Sequence, residues 1–357
     1  MKLLVLLIGG NNIANYALID YFKNSGEYQF DKVLLVYTNQ SKNSIENIIS
    51  LQSDVEFLKL NLEDYGRDLL KIKEQILNFL KDLNISFIHL NYTGGTKPMS
   101  VGAFLAVNEL ECEKKFSDIS PDSSKLTFMS GEIYPQNTSI DKGVNLDIKS
   151  LYKLHGIELK SYQKDVSKFY NDEMVKFLFE KSTKAKNYKK FWEFWDYEKG
   201  DINKFIEELP IEVDTKEIKT LRQFIRGRWF EEYIFDILKD EDFTDIAWNV
   251  EGSIKGRDFE LDLVLTKGHK IYMISCTTEN EAISRVKQKA FEASIRAEQI
   301  GGIRAKPISI SLLNNKKLKL LENDIKNYVG KSNFEFIGRD DLKDRNKLKN
   351  LLKSILN

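Results

Sequence analysis

The sequence predicts an α/β protein built from two folded domains. Short apolar runs alternate with segments of helical apolar spacing in the N-terminal part, which is typical of a doubly wound parallel sheet. The C-terminal part has the order helix, hairpin, helix, strand, which describes a second α/β core. The chain has 357 residues, more than a usual single domain, and this length also favours two domains.

The composition limits the classes of function. The net charge is zero, so no field of the whole chain attracts nucleic acid and any such binding has to be local. The two cysteines, Cys112 and Cys276, do not make a disulfide framework and favour a reducing, cytoplasmic location. The apolar start at 1–8 is too short to span a membrane and lacks a small-residue cleavage site, so we expect a first strand there and no membrane partner.

The N-terminal elements follow one another with polar or glycine-containing turns between them. Strands are predicted at 3–8, 32–37, 55–60 and 85–90, and two more, antiparallel, at 126–130 and 144–148. Ligands of parallel sheets bind at the carboxyl ends of the strands. We therefore expect the turns at 9–12, 38–41 and 93–97 to line one crevice. The first of these lacks Gly-x-Gly-x-x-Gly, which argues against a nicotinamide site.

The turn at 91–100 organises this domain and has the sequence Asn-Tyr-Thr-Gly-Gly-Thr-Lys-Pro-Met-Ser. Gly94 and Gly95 let a ligand approach the backbone closely, and the helix that begins near Pro98 attracts anions to its N-terminus. Hydroxyl donors and one positive charge surround the glycines: Thr93, Thr96, Lys97 and Ser100. The motif predicts a cradle for a phosphate or phosphodiester, although it is not a Walker A loop. The alternative is a tight turn whose glycines serve only packing.

Residues 160–220 are predicted to be helical and polar. Lysines are dense at 181–190, and four aromatic residues follow directly: Phe191, Trp192, Phe194 and Trp195. A basic stretch with aromatic side chains can bind single-stranded nucleic acid. A solvated face beside a small core is the alternative.

The second domain carries candidate metal ligands. Asp262 lies on the first strand of a predicted hairpin, and Glu231 lies on the preceding helix, 224–238. In the PD-(D/E)xK nuclease core, an Asp on the first hairpin strand and a Glu-x-Lys on the next hold a divalent metal, and the lysine stabilises developing charge. Either acid by itself is more often a surface or capping acid. The hairpin order strengthens the nuclease interpretation.

The Glu-x-Lys position departs from this pattern, because Ser275 and Thr277 occupy it. Catalysis has either been lost, or the acid and the base have moved to the following helix. Four charged residues recur on one face of that helix at i, i+4, i+7 and i+11: Arg285, Lys289, Glu292 and Arg296. Glu292 and Lys289 could supply the missing acid and base. An exposed ion-pair stripe is the alternative.

These motifs resemble a known family. The turn at 91–100 is similar to the signature turn of CARF domains, the CRISPR-associated Rossmann-like sensors of cyclic oligoadenylate. Segments 227–231, 260–262 and 301–302 resemble the PD-(D/E)xK nuclease of type III CRISPR ancillary effectors, and 154–157 resembles that family's exit from the CARF domain. The resemblance implies a CARF domain at 1–150, a helical connector at 151–215 and a nuclease-like domain at 216–357.

The resemblance also implies ligands, partners and roles. It implies a homodimer that binds cyclic tetra-adenylate across its two-fold axis and cuts single-stranded RNA or DNA with Mn²⁺ or Mg²⁺. The residues expected to hold or line the activator site are Gly10, Asn11, Thr38, Gln40, Thr93, Gly94, Gly95, Thr96 and Lys97. Asp262, Glu231 and Glu292 are the expected metal ligands, with Lys289 as a further catalytic residue.

Three hypotheses follow from this interpretation. The first is a nuclease gated by cyclic oligoadenylate. The second is a non-catalytic sensor whose degenerate nuclease fold binds nucleic acid or a partner. The third is a ring nuclease that degrades its own activator in the CARF crevice. Activation itself has to be a population shift, because a ligand favours the cutting-competent dimer only by binding it more tightly than the resting one.

Overall fold

The computed structural model describes residues 1–10, 12–26, 29–120, 124–134, 139–183, 206–302, 305–329 and 334–356. Asn11 and the basic, aromatic segment from Lys184 to Trp195 lie outside these ranges. Within the ranges, no helix is both long enough and apolar enough to cross a membrane.

The N-terminal sheet contains seven described strands: β1 (Lys2–Leu7), β2 (Lys32–Tyr37), β3 (Phe57–Asn61), β4 (Phe87–Asn91), β5 (Glu113–Ile119), β6 (Leu126–Phe128) and β7 (Ile133–Tyr134). Their order is β3-β2-β1-β4-β5-β6-β7. The first five are parallel, and β6 and β7 are antiparallel. Helices α1 (Ile13–Ser25) and α2 (Lys42–Leu51) pack on one face of the sheet, and α3 (Leu69–Lys81) and α4 (Lys97–Asn108) pack on the other.

The C-terminal sheet contains six described strands: β8 (Glu158–Gln163), β9 (Asp245–Ile254), β10 (Arg257–Lys267), β11 (Lys270–Thr277), β12 (Lys306–Ser311) and β13 (Glu335–Ile337). Their order is β13-β12-β11-β10-β9-β8. The described α-helices after the first sheet are α5 (Ile148–Leu154), α6 (Asp172–Thr183), α7 (Ile218–Gln223), α8 (Trp229–Leu238), α9 (Ile283–Gly301), α10 (Asn315–Val329) and α11 (Arg345–Leu356), and a π-helical turn, Phe224–Arg228, joins α7 to α8.

Three segments differ from the sequence-based expectation. Residues 144–148 are not a strand, because the Asp147 side chain accepts a hydrogen bond from the Ser150 N–H and caps α5. Strand β5 was not predicted, since it begins with three charged residues and buries only its later part. The stretch 160–220 is not helical throughout, because β8 extends into it and pairs antiparallel with β9. The proposed domain limits remain a prediction.

Two hydrophobic cores cover the faces of the C-terminal sheet. The interdomain core joins both sheets and includes Leu18, Tyr152, Val250, Leu261 and Met273. The C-terminal core lies on the opposite face and includes Phe230, Trp248, Leu263, Ile274 and Leu352. Residues from α9 contribute to the first core and residues from α8 to the second. The two domains are therefore packed together over a continuous apolar interior.

A hydrogen-bonded contact between Asp141 and the buried His269 adds to this domain contact. Asp141 lies in a short 3-10 turn of the first domain, and its Oδ1 is 2.7 Å from Nδ1 of His269 at the β10–β11 turn. The same oxygen accepts a hydrogen bond from the His269 N–H at 3.2 Å. Burial alone would raise the pKa of Asp141, but the hydrogen bond and charge of His269 outweigh this effect and lower the pKa to about 2.

We expect Asp141→Asn to lower the free energy of unfolding at pH 7 by about 2 kcal/mol. The carboxyl pKa is lower in the folded state than its ordinary value of 3.8, so the pair stabilises the fold at neutral pH. That contribution is lost as the pH falls from about 4 to about 2. Urea titration of both proteins across this range measures the difference. Asp54→Asn, which removes an exposed pair with Lys23, is the control, and an equal effect of both variants would contradict the assignment.

Candidate functional site

The carboxyl ends of three neighbouring strands meet in the first domain, where the sequence predicts a ligand crevice. Strands β2, β1 and β4 are adjacent and parallel, so their carboxyl ends meet at one edge of the sheet. The chain crosses from β3 back to β4, which makes the β1–β4 junction a topological switch point. Gly10 and Gln40 are exposed after β1 and β2, and Thr38 is half-buried. The strand order brings these turns to one edge of the sheet, their use as a ligand crevice stays a prediction, and Asn11 lies outside the described residues.

The adjacent glycines fit the turn closely against β1. A Cβ on Gly94 would lie 2.0 Å from the Leu7 carbonyl oxygen, and Gly95 has φ +74°. Asn15 Nδ2 donates to the same carbonyl at 3.0 Å. Packing therefore requires glycine at both positions. Asn15 was not predicted from the sequence, because an asparagine on an apolar helix gives no signal of this contact.

The hydroxyl groups of the turn are partly used inside the protein. Thr96 caps α4 by accepting from the Met99 N–H, and its hydroxyl donates to the Gly66 carbonyl at 2.7 Å. The Ser100 hydroxyl lies 3.3 Å from the carbonyls of both Tyr92 and Thr96. These two hydroxyl hydrogens are therefore already donated in this arrangement.

Thr93 and Lys97 keep more freedom to meet a ligand. The Thr93 Oγ1 accepts from the Ile119 N–H at 2.8 Å, which leaves the hydroxyl hydrogen available. Lys97 is the first residue of α4 and is exposed. Gly66 also belongs to this edge, because a Cβ there would lie 2.6 Å from the Thr38 methyl group. The sequence did not indicate Gly66, since it is a single glycine in a polar loop.

We expect Gly94→Ala to destabilise the first domain strongly and Gly10→Ala to leave it intact. The added methyl group collides with backbone at Gly94, whereas no described atom beyond the chain neighbours lies within 4 Å of a Cβ on Gly10. Thermal unfolding measures the difference. Equal melting temperatures for the two variants would contradict the close approach of this turn to β1.

A second site lies where β10 and β11 separate. Their antiparallel pairing ends at Leu263 and Ile274. Beyond this point the Asp262 side chain takes over the bonding of β11, since its Oδ2 accepts from the Cys276 N–H at 2.7 Å and the Ser275 hydroxyl at 3.3 Å. On the far side of Asp262 from the hairpin turn, residues 257–261 of β10 pair only with β9 among the described strands, and residues 275–277 of β11 pair only with β12. The two strands form a fork with Asp262 at its base.

A cavity of about 260 Å³ opens at this fork. Its polar lining consists of Glu231, Glu260, Asp262, Ser275, Lys289, Glu292 and Arg296. All four residues predicted to be catalytic are among these. Glu231 comes from α8, Asp262 from β10, and Lys289 and Glu292 from α9. Three distant parts of the sequence therefore meet in one cavity.

Of the four charged residues predicted to share one face of α9, three line the cavity and Arg285 does not. Lys289 Nζ lies 3.4 Å from the Cys276 carbonyl, and Arg296 lies 4.8 Å from the ring centre of Phe259. Arg285 does not line the cavity and instead pairs with Glu279 at 3.4 Å. Glu260 is a cavity residue to which the sequence analysis gave no role, although its position two residues before Asp262 is a possible signal.

The acids of the cavity raise the pKa values of one another. Burial raises the pKa of Glu231 well above its ordinary value, and the charges of Asp262 and Glu260 add to this. Its Oε2 is buried without a hydrogen-bond partner among the described residues. Burial also raises the pKa of Asp262, while Lys289 and the two hydrogen bonds at Oδ2 act in the opposite direction. Glu231 is therefore the acid that retains a proton more readily.

The donor chemistry fits a divalent cation. In the part of the chain that the structure describes, no group of three or more His, Cys, Asp or Glu side chains is already spaced like a complete metal site. Carboxylate oxygens are nevertheless the ligands that Mg²⁺ and Mn²⁺ prefer. The unpartnered Glu231 oxygen and the mutual repulsion of the acids are what a positive charge would compensate. Asp262 and Glu231 are the residues best placed to hold it.

Comparison with known proteins identifies both domains. Residues 3–119 match the family model described as the Card1 CARF domain. Residues 218–353 match the model described as the Card1-like endonuclease domain. The chain combines a CARF domain with a Card1-like endonuclease domain. This confirms the fold class and the resemblance drawn from the sequence.

Two solved structures share this fold over both domains. Can2 from Sulfobacillus thermosulfidooxidans, solved in complex with cyclic tetra-adenylate, is 18% identical with a TM-score of 0.74, and the match covers 100% of each chain. Protein VC1899 from Vibrio cholerae is 14% identical with a TM-score of 0.68, and the match covers 99% of this chain and 98% of that one. A comparison with curated protein sequences gives no match.

Proposed function

We propose that this CARF protein is a metal-dependent endonuclease activated by cyclic tetra-adenylate, with single-stranded RNA or DNA as its substrate. The observation that carries the proposal is the cavity of the endonuclease domain, where Glu231, Asp262, Lys289 and Glu292 meet. Acids from a helix and a strand, together with a lysine, are the groups that metal-assisted phosphodiester hydrolysis needs.

The roles follow from the position of each side chain. Asp262 and Glu231 would hold the metal, with Glu292 as a further ligand. When bound, the metal supplies Lewis acidity and lowers the pKa of its water. Ser275 does not replace the usual acid but donates to Asp262 and fixes its orientation. Lys289 directs a positive charge into the cavity, where it would stabilise the charge that develops on the phosphate.

The departure from Glu-x-Lys favours migration over loss. Lys289 lies on α9, the helix after β11, whereas the usual lysine would stand at Thr277 on β11 itself. Its Nζ is nevertheless 3.4 Å from the carbonyl oxygen of Cys276, the residue between Ser275 and Thr277. Glu292 lines the same cavity. Acids in a cleft that raise the pKa values of one another are typical of a functional site.

The activator site is proposed at the crevice of the first domain. Support comes from the exposed N-terminus of α4, the available Thr93 hydroxyl and the Lys97 charge, which suit a phosphodiester. The Can2 relative was solved with cyclic tetra-adenylate. We propose that this ring binds here and contacts Gly10 after β1, Thr38 and Gln40 after β2, and residues 93–97 between β4 and α4.

A second copy of the chain is proposed to complete the activator site. Val101 and Leu105 are apolar, one turn apart on α4 and 47% and 36% exposed. Leu70 is a further exposed leucine, at 74%, on the neighbouring α3. Because α4 begins in the crevice, a two-fold contact along it would bring two crevices together.

We expect Leu105→Glu to convert a dimer into a monomer, since a charge would be buried at the proposed contact. Sedimentation velocity of wild type and variant measures this. Leu320→Glu places the same change on an exposed leucine of the second domain and is the control. A monomeric wild-type protein, or a dimeric Leu105→Glu variant, would refute the proposed interface.

We expect Asp262→Ala to reduce Mn²⁺-dependent cleavage of a single-stranded substrate by about 100-fold or more, because a buried metal ligand is lost. Asp258→Ala, on the same strand but exposed and paired with Lys160, is the matched control and should retain activity. Cleavage is assayed with and without cyclic tetra-adenylate, and activator binding by calorimetry should be the same in all three proteins.

The same assay tests whether the active set has migrated to α9. Lys289→Gln should lose most activity, whereas Lys287→Gln, a neighbour paired with Asp324, should not. If the wild-type protein binds both the activator and nucleic acid but forms no cleavage products, it is a non-catalytic sensor. Shortened adenylates from activator incubated alone would indicate a ring nuclease.

A further inference from the structure

The alternation of β9 and β10 breaks at one pair of residues. In β9, Ala247 belongs to the interdomain core and Trp248 to the C-terminal core, but Val250 belongs again to the interdomain core. A regular strand would place residues 248 and 250 on the same face. Asn249 is therefore an extra residue in the alternation of β9.

The facing strand breaks at the same level. In β10, Leu261 belongs to the interdomain core, whereas Leu263 belongs to the C-terminal core and Val264 to the interdomain core. Asp262 is thus the extra residue of β10. The pairs Leu261–Val250 and Leu263–Trp248 flank the break, which places Asn249 opposite Asp262.

The backbone of Asn249 accounts for the break. Its φ is +48°, in the left-handed region, although it lies within a strand and is not glycine. It is 5% exposed, and its Oδ1 is buried without a partner among the described residues. Residues of a regular strand have negative φ values. Among non-glycine residues, asparagine adopts the left-handed region at a lower free-energy cost than most. Such strain persists where the surrounding structure requires it.

We propose that Asn249 is a positioning residue for the metal site: its left-handed backbone interrupts β9 opposite Asp262 and directs that carboxylate to the base of the fork. The inference rests on the proposed metal-dependent function. It explains how one cavity receives side chains from both faces of the sheet. Glu231 approaches from α8, on the side of the C-terminal core, and Glu292 from α9, on the side of the interdomain core.

The backbone role is separated from the side-chain role by two variants. Asn249→Gly and Asn249→Ala both remove the amide, but only glycine enters the left-handed region freely. We expect Asn249→Gly to bind Mn²⁺ about as tightly as wild type and Asn249→Ala to bind it about tenfold more weakly, by calorimetry on the full-length protein. Lys255→Gly and Lys255→Ala are the matched controls, because Lys255 has φ +51° in the turn between the same strands. Neither control should change Mn²⁺ affinity.

Hydrogen exchange of the Cys276 amide gives a readout that does not depend on metal. This amide donates to Asp262 at 2.7 Å, so we expect protection to persist in Asn249→Gly and to fall about tenfold in Asn249→Ala, with the melting temperature measured alongside. Equal Cys276 protection in the two variants, or loss in Asn249→Gly, would overturn the positioning role. The proposed function would be refuted if the wild-type protein bound no Mn²⁺, or if Asp262→Ala left the Mn²⁺ binding unchanged. The exchange pattern of the Cys276 amide would still decide the role of Asn249.

Discussion

The hydrogen bonds that hold the Asp262 carboxylate are the interaction on which the second site depends. A carboxylate removed from water needs hydrogen-bond donors or a positive charge, or it takes up a proton. The Cys276 N–H and the Ser275 hydroxyl supply donors on one side, and Lys289 supplies charge. Among the residues that the structure describes, none donates to the buried Oε2 of Glu231. The two acids are thus chemically different, and a cation would satisfy both.

Packed contacts connect the two sites. Helix α1 follows the crevice turn directly, and from it Asp20 and Asn24 bind the backbone of residues 143–145. Asp141 in the preceding turn binds His269, at the tip of the hairpin whose other end carries Asp262. In the proposed activation, the ligand can favour a cutting-competent state only through contacts that differ in free energy between the two states. These hydrogen bonds and the interdomain core are contacts through which such a difference can reach the hairpin.

Buried strands were predicted correctly from the sequence, whereas exposed strands were missed. Strands β1, β2 and β4 are buried on nearly every residue and consist mostly of apolar residues, so their positions were recognised. The exposed edge strand β8 contains little apolar sequence, and its pairing with β9 over a long separation leaves no local signal. Four of the residues that line the cavity were selected from the sequence because their order along the chain resembles that of nuclease acids and bases, and their catalytic roles stay a proposal. Glu260 and Gly66 were given no role, because their importance arises only from their neighbours.

The sequence by itself determined the α/β class, the glycine turn and the set of charged residues available for chemistry, because these depend on residue type and short-range spacing. Only the tertiary structure decided which charged residues share a cavity. It separated Arg285 from the lysine and the acid on the same helical stripe, and it committed the hydroxyl groups of Thr96 and Ser100 to the protein. It also placed Asn249 opposite Asp262. The physical reason is that strand register and helix packing join residues far apart in the chain, and local patterns do not encode that distance.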